Sequence, residues 1–196
     1  MPIRPPTHRA SGLARREALL RAAIEVVASN GIEGATHRAI ARAAGLPLST
    51  TSYFFSSLDE LLAAALTLAF AEVVERSDAA VKAMHDTNPS VEQLAEMVTD
   101  FLMLSPRTDL VTQFEVYLAV HRRPELGAAV AGVVESYERV ISTSLRLVDI
   151  DPLPHRVRLV LAMLDGMAVH RVAFPRDDDR EILRAALHDV LRGFQT

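Results

Sequence analysis

Within the stretch 36–55 (THRAIARAAGLPLSTTSYFF), the side chains suited to specific polar contacts fall into two clusters. Thr36, His37 and Arg38 form the first, and Leu48, Ser49, Thr50, Thr51 and Tyr53 the second. Serine and threonine hydroxyls reach base edges or phosphates, and a threonine methyl or Leu48 can touch the methyl of thymine. Arg38, with Thr36 and His37 beside it, is placed to meet backbone phosphate. This chemistry reads a nucleic acid and breaks no bonds. Thr36 also suits a helix N-cap, and Arg42 suits either a phosphate contact or a solvated face.

Two helices and a tight turn are needed to present those clusters. Ile40 and Ala44 lie one turn apart on one helix face, and Ala41 is small enough for a second helix to cross over it. Gly45 ends the first of these helices, where a positive φ is needed. Pro47 suits the first turn of the next helix, near 48–54. Leu46 and Phe54 then point back into a small core. This is the spacing of a helix-turn-helix whose second helix is free to enter a major groove.

The charge distribution points the same way. The net charge of −4 alone argues against a nucleic-acid binder, but residues 1–58 carry seven arginines against three acids, a net +4, which leaves −8 for the remainder. A basic first third on an acidic body is the footprint of a DNA-binding head joined to something else. Residues 1–12, with Pro2, Pro5, Pro6 and Gly12, read as a disordered arm whose Arg4 and Arg9 could reach phosphates or a minor groove.

Further along, periodicity predicts an all-α chain of about nine helices. Helix 13–29 stops at Asn30-Gly31. Ser57 caps a helix of about 27 residues, about 40 Å long, with Asp59 and Glu60 in its first turn. Ser90 caps 91–104. Helices over 109–122, 124–148, 156–172 and 180–193 follow. The expected organisation is a head over 1–58 and a helical ligand-binding and dimerisation body over 59–196. Segment 157–169 is apolar almost all the way round, and the last helix has two apolar faces, so a partner copy is expected to complete a four-helix bundle. Leu161, Asp165, Ala168, Leu183, Leu187 and Val190 are the expected interface residues.

Met97, Phe101, Phe114, Tyr117, Leu118, Tyr137, Met163 and Met167 are bulky and apolar at helical spacing in the body, with His121 and other polar residues between them. They are the candidates for lining a pocket for a small molecule. Histidines at 8, 37, 85, 121, 155, 170 and 188 have no close paired spacing, which argues against a metal site. No cofactor is expected. An enzyme is the second reading, but the chain has no G-x-S-x-G, no Gly-rich phosphate loop and no carboxylate pair with a clear base. A helical adaptor is the third. It is disfavoured because Ser49, Thr50, Thr51 and Ser52 would have to be buried. No long uncharged apolar run spans a membrane, no apolar stretch follows the N-terminal arginines, and no cysteine is present, so a cytoplasmic protein is expected.

Residues 13–66 resemble the N-terminal DNA-binding domain of the TetR family of transcriptional regulators. The resemblance rests on Asn30-Gly31, Thr36, Ile40-Ala41, Ala43-Ala44-Gly45-Leu46, Thr50, Tyr53, Phe55, Ser57 and Asp59-Glu60-Leu61-Leu62. It implies a homodimer that places its third helices in successive major grooves of a palindromic operator. It also implies a repressor released when a small, largely apolar effector binds the body and alters the spacing of the heads. Two positions depart from the pattern. Leu58 stands where the family commonly has a basic residue, and Thr51 where it has an apolar core residue. From Leu46 to Leu58 there is no lysine or arginine, so binding is expected to depend less steeply on salt.

Overall fold

The computed structural model describes residues 6–85 and 87–195, with side chains described from Ser11 onward. Nine α-helices and one 3-10 turn follow one another, with no strand among the described residues: α1 (Pro6–Gly34), α2 (His37–Ala43), α3 (Leu48–Phe54), α4 (Leu58–His85), α5 (Val91–Leu104), α6 (Arg107–Ala119), the turn Pro124–Leu126, α7 (Gly127–Arg146), α8 (Pro154–Ala173) and α9 (Asp179–Gly193).

Helix boundaries follow local chemistry. Ser90 and Gln93 form a reciprocal capping box at the start of α5, with Ser90 N–H to Gln93 Oε1 at 2.8 Å and Gln93 N–H to Ser90 Oγ at 3.3 Å. Glu60 N–H donates to Ser57 Oγ at 3.1 Å at the start of α4. Asn88, in the left-handed region at φ 46°, turns the chain before Pro89. The main differences from expectation lie at α1. Residues 6–12 are helical rather than an irregular arm, since Pro6 sits in the first turn, where its missing N–H costs nothing. Arg4 lies outside the described residues. At the other end the helix breaks at Gly31 (φ 69°, ψ 170°), as Asn30-Gly31 leads one to expect, but a short helical turn over 32–34 follows.

Packing divides the chain into two compact units. The first comprises Met1–Phe70 with Val111–Val130. Leu19, Leu20, Ala23 and Val27 of α1 are buried there with Ile40 and Ala41 of α2, Phe55, Leu61, Leu62 and Ala65, together with Val116 and Ala119 of α6. The second comprises Ala71–Leu110 with Ala131–Thr196. Its core is formed by Val91, Leu94, Ala95 and Leu102 of α5, Ile141 and Leu145 of α7, Val157 and Val160 of α8, and Leu183, Leu187 and Leu191 of α9.

That second core corrects part of the expected dimer face. Leu183 and Leu187 are 0% and 1% exposed and Ala168 is 2% exposed, so the chain's own fold already covers them. Alongside the apolar stripe of α9 runs a charged one. Arg180, Arg184, His188 and Arg192, spaced four apart, meet Glu92, Glu96 and Asp100, spaced four apart on α5. Arg180 donates to Asp100 at 2.6 Å and also to Glu96, and Arg192 donates to Glu92 at 2.6 Å. Leu161, Asp165 and Val190 are half-buried. The exposed residues of α8 include the apolar or small Leu159, Ala162, Gly166 and Val169, flanked by the exposed His155, Arg158 and His170, and Ile182 and Ala185 are exposed on α9.

Candidate nucleic-acid interface

The turn between α2 and α3 is built almost entirely from backbone. Thr36, extended at φ −132°, accepts the Ala39 N–H on its hydroxyl at 3.1 Å and starts α2. At the other end, the Leu46 N–H reaches the Ala41 carbonyl at 2.9 Å and the Gly45 N–H reaches the Arg42 carbonyl at 3.2 Å. This pair is a Schellman motif, and it places Gly45 at φ 65°. A Cβ on Gly45 would meet nothing within 4 Å, so the backbone angle alone calls for glycine. Pro47 then precedes α3, and the Thr50 N–H bonds to its carbonyl at 2.9 Å.

This turn leaves one face of α3 open. Tyr53 is 68% exposed and Leu48 46%, with Ser49 and Ser52 exposed and Thr50 half-buried. Thr51 is a correction to the expected contact set. Its side chain is fully buried, and its hydroxyl donates to the Leu48 carbonyl at 2.8 Å. A threonine bonded back to its own helix can occupy an apolar core position because its one polar group is satisfied there. The aromatic anchor also shifts by one residue. Phe55 is buried, under the Arg16 guanidinium at 5.1 Å from the ring centroid, whereas Phe54 is half-buried and packs edge-on against Tyr53 at 4.9 Å.

In the first cluster, Thr36 and Arg38 are exposed, whereas His37 is half-buried with Nδ1 covered and without a hydrogen-bond partner. Arg38 and Arg42 are exposed and make no ion pair among the described residues. Arg21 is tied to Glu17 at 3.0 Å and Arg15 to the Ser11 carbonyl at 3.1 Å. Glu60 lies just beyond α3. It accepts the Ser56 hydroxyl at 2.6 Å and the Ser56 N–H at 2.7 Å, and these two bonds hold its carboxyl below the usual range.

The pocket candidates are distributed over both units. In the first, Phe114 and Tyr117 of α6 pack edge-to-face at 6.2 Å, and the buried Gln113 amide donates to Tyr117 Oη at 3.3 Å. Leu118, 72% exposed, and the exposed His121 lie at the surface of their unit. In the second unit Met97, Phe101, Tyr137, Met163 and Met167 are all half-buried. The first unit contains an apolar crevice of about 10 Å³, lined by Ala23, Ile24, Val27, Ile32, Leu62, Ala65, Leu66, Thr112 and Val116. It includes none of the candidates. No group of three histidine, aspartate or glutamate side chains among the described residues could hold a metal ion, and no described helix is long and apolar enough to cross a membrane.

A Schellman-closed turn that leaves a hydroxyl-bearing helix open, followed by an α-helical body, defines a helix-turn-helix DNA-binding regulator. The chain belongs to the TetR family of bacterial transcriptional regulators. The family described as "Bacterial regulatory proteins, tetR family" matches residues 19–65, and "Tetracyclin repressor-like, C-terminal domain" matches residues 89–193. The nicotine-responsive transcriptional repressor HdnoR of Paenarthrobacter nicotinovorans is 29% identical over 177 residues, 86% of this chain and 89% of its own length. The transcriptional regulator PksA of Bacillus subtilis is 29% identical over 171 residues, 82% and 80% of the two chains. Among solved structures, the multidrug binding protein EbrR complexed with proflavin is 32% identical, with a TM-score of 0.67 over 90% of this chain and 99% of that one. EbrR has also been solved with ethidium and with malachite green. The protein is therefore a DNA-binding transcription factor and not an enzyme.

Proposed function

We propose that the protein is a homodimeric repressor that binds a palindromic operator and is released by a small, largely apolar molecule. The observation that carries the DNA-binding part is the open face of α3. Leu48, Ser49, Thr50 and Tyr53 project from a helix whose inward side, through Thr51 and Phe55, is buried. Thr36 and Arg38 flank it and bind phosphate. The head over 1–58 reads the operator and the body over 59–196 holds the effector and the partner copy, in the cytoplasm.

The dimer reading is supported by the exposed stripe Leu159, Ala162, Gly166 and Val169. These residues recur at the three- and four-residue steps of one helix face and carry no charge. Exposed apolar stripes of this kind mark association surfaces. The effector reading is supported by Phe101, Phe114, Tyr117 and Tyr137, with Met97, Met163 and Met167, because flexible thioethers and aromatic faces suit a flat apolar molecule. HdnoR responds to nicotine and EbrR binds proflavin and ethidium, so an aromatic effector is the first class to screen.

The test is selection of random duplex DNA by the purified full chain, followed by gel-shift titration of the recovered sequence. A palindromic duplex bound at two protomers per site is the expected result. Failure to enrich any duplex at low or moderate salt would sink the regulator reading.

A further inference from the structure

Ile32 is the first residue after the break in α1, and a side chain 83 residues further along the chain accepts its N–H: Glu115 of α6, through Oε2 at 3.2 Å. The same carboxylate oxygen lies 3.2 Å from where a Cβ on Gly31 would be, while Gly31 itself adopts φ 69°, ψ 170°. That region of backbone space is essentially reserved for glycine. Two independent constraints therefore meet at one residue, a backbone angle and a close approach, and both serve to bring the α6 carboxylate against the α1 break.

A second clasp lies beyond the C-terminal end of α6. Arg123 donates to Asp59 of α4 at 3.0 Å and stands 3.9 Å from Glu33, and Arg122 stands 3.8 Å from Glu33. Arg123 is only 21% exposed, so this pair is better shielded from water than a surface bridge. Between the two clasps the seam is apolar. It contains the crevice lined by Ile32, Leu62, Ala65 and Val116, and the buried Thr112 hydroxyl, which has no partner among the described residues. The Glu115 and Arg123 contacts add directional ties between α6 and the turn over 32–34 that leads directly into α2, beside the buried packing of Val116 and Ala119.

We propose that Glu115 is a positioning residue for DNA binding. Its carboxylate fixes the α1–α2 corner, and through it the placement of α2 and α3, from a helix outside the helix-turn-helix. Phe114 and Tyr117 flank it on α6, so a molecule that shifts them also shifts the carboxylate that holds Ile32. The proposal rests on the regulator reading above.

The experiment compares the full-length dimer with Glu115→Ala and Glu115→Gln. The first readout is amide hydrogen exchange, which needs no DNA. Glu115→Ala is expected to speed exchange at residues 32–35 by about tenfold or more, the scale of losing one charge-assisted bond, with α5 and α9 unchanged. The second is affinity for the selected duplex. It is expected to fall by about tenfold in Glu115→Ala and to return to within about threefold of the parent in Glu115→Gln, which keeps an acceptor oxygen. Unchanged exchange at 32–35 in Glu115→Ala would overturn the proposal, as would loss of protection spread evenly over both units. A local exchange effect with parental duplex affinity would overturn the positioning role. If the parent enriches no duplex, the regulator reading fails, and the exchange data still decide whether Glu115 holds the corner.

Discussion

The hydroxyl of Thr51 donates to the carbonyl of Leu48, 2.8 Å away and one turn back on α3, with the whole Thr51 side chain out of reach of solvent. Two residues on, Tyr53 is 68% exposed. The contrast separates core from contact on a helix of seven residues. Thr51→Val is expected to leave duplex affinity within about twofold of the parent. Tyr53→Ala is expected to weaken it about tenfold or more, with the dimer intact. Gel-shift titration beside sizing by light scattering decides it. A large loss in Thr51→Val with unchanged stability would place that hydroxyl at the DNA after all.

Salt dependence tests the scarcity of cations on the reading face. Affinity falls with log salt at a slope of about −0.9 per neutralised phosphate. Arg38→Ala and Arg42→Ala should each make the slope shallower by about one unit per head if each arginine holds a phosphate. A slope unchanged in both variants would assign the electrostatics to α1 and the arm.

The helix-turn-helix is legible in the sequence because each of its boundaries has a local cause. Thr36 caps α2, Gly45 supplies a positive φ, Pro47 opens α3, and Ser57 opens α4. The capping box of Ser90 and Gln93 is equally local. Properties decided by distant partners are not legible. Whether Phe54 or Phe55 turns inward depends on what packs against α3. The apolar face of α9 looks the same in sequence whether a partner copy or α5 covers it, and α5 covers Leu183 and Leu187. The bond from Ile32 to Glu115 spans 83 residues, and although Asn30-Gly31 marks the break beside Ile32, nothing around Glu115 marks it as the partner.

Gly166 offers a clean test of the dimer. A Cβ there meets nothing within 4 Å in its own chain, so a larger side chain is tolerated by the protomer fold apart from small effects of helix propensity. Gly166→Leu is therefore expected to keep helical content and to weaken self-association, as read by sedimentation over a concentration series. A fully dimeric Gly166→Leu would move the interface off this face of α8.

Acid titration probes the charged seam between α5 and α9. Glu92 is held down to about 2, from an ordinary value of 4.5, by its own backbone N–H, then by the Ser90 hydroxyl and the Arg192 guanidinium. A carboxyl depressed in the folded state contributes stability above its unfolded value and loses it as pH falls through the folded one. The melting temperature should therefore decline between about pH 4.5 and 2, and less steeply in Glu92→Gln. Parallel declines would show that the seam contributes nothing measurable.

Thr112 is 2% exposed, and its hydroxyl, at the edge of the apolar crevice, has no partner among the described residues. Thr112→Val keeps the branched shape and removes the unpaired group, so it should stabilise the protein by about 1 kcal/mol in chemical denaturation. Destabilisation would mean that the hydroxyl is satisfied in solution, by an ordered water at that crevice.

The bare recognition helix, without a lysine or arginine between Leu46 and Leu58, also bears on how the protein finds its site in a chromosome. Attraction to arbitrary DNA is almost wholly electrostatic, so in the operator reading proposed above it falls to the arginines of α1 and α2, while α3 is left to discriminate by hydroxyl, aromatic and apolar contacts that wrong sites do not satisfy.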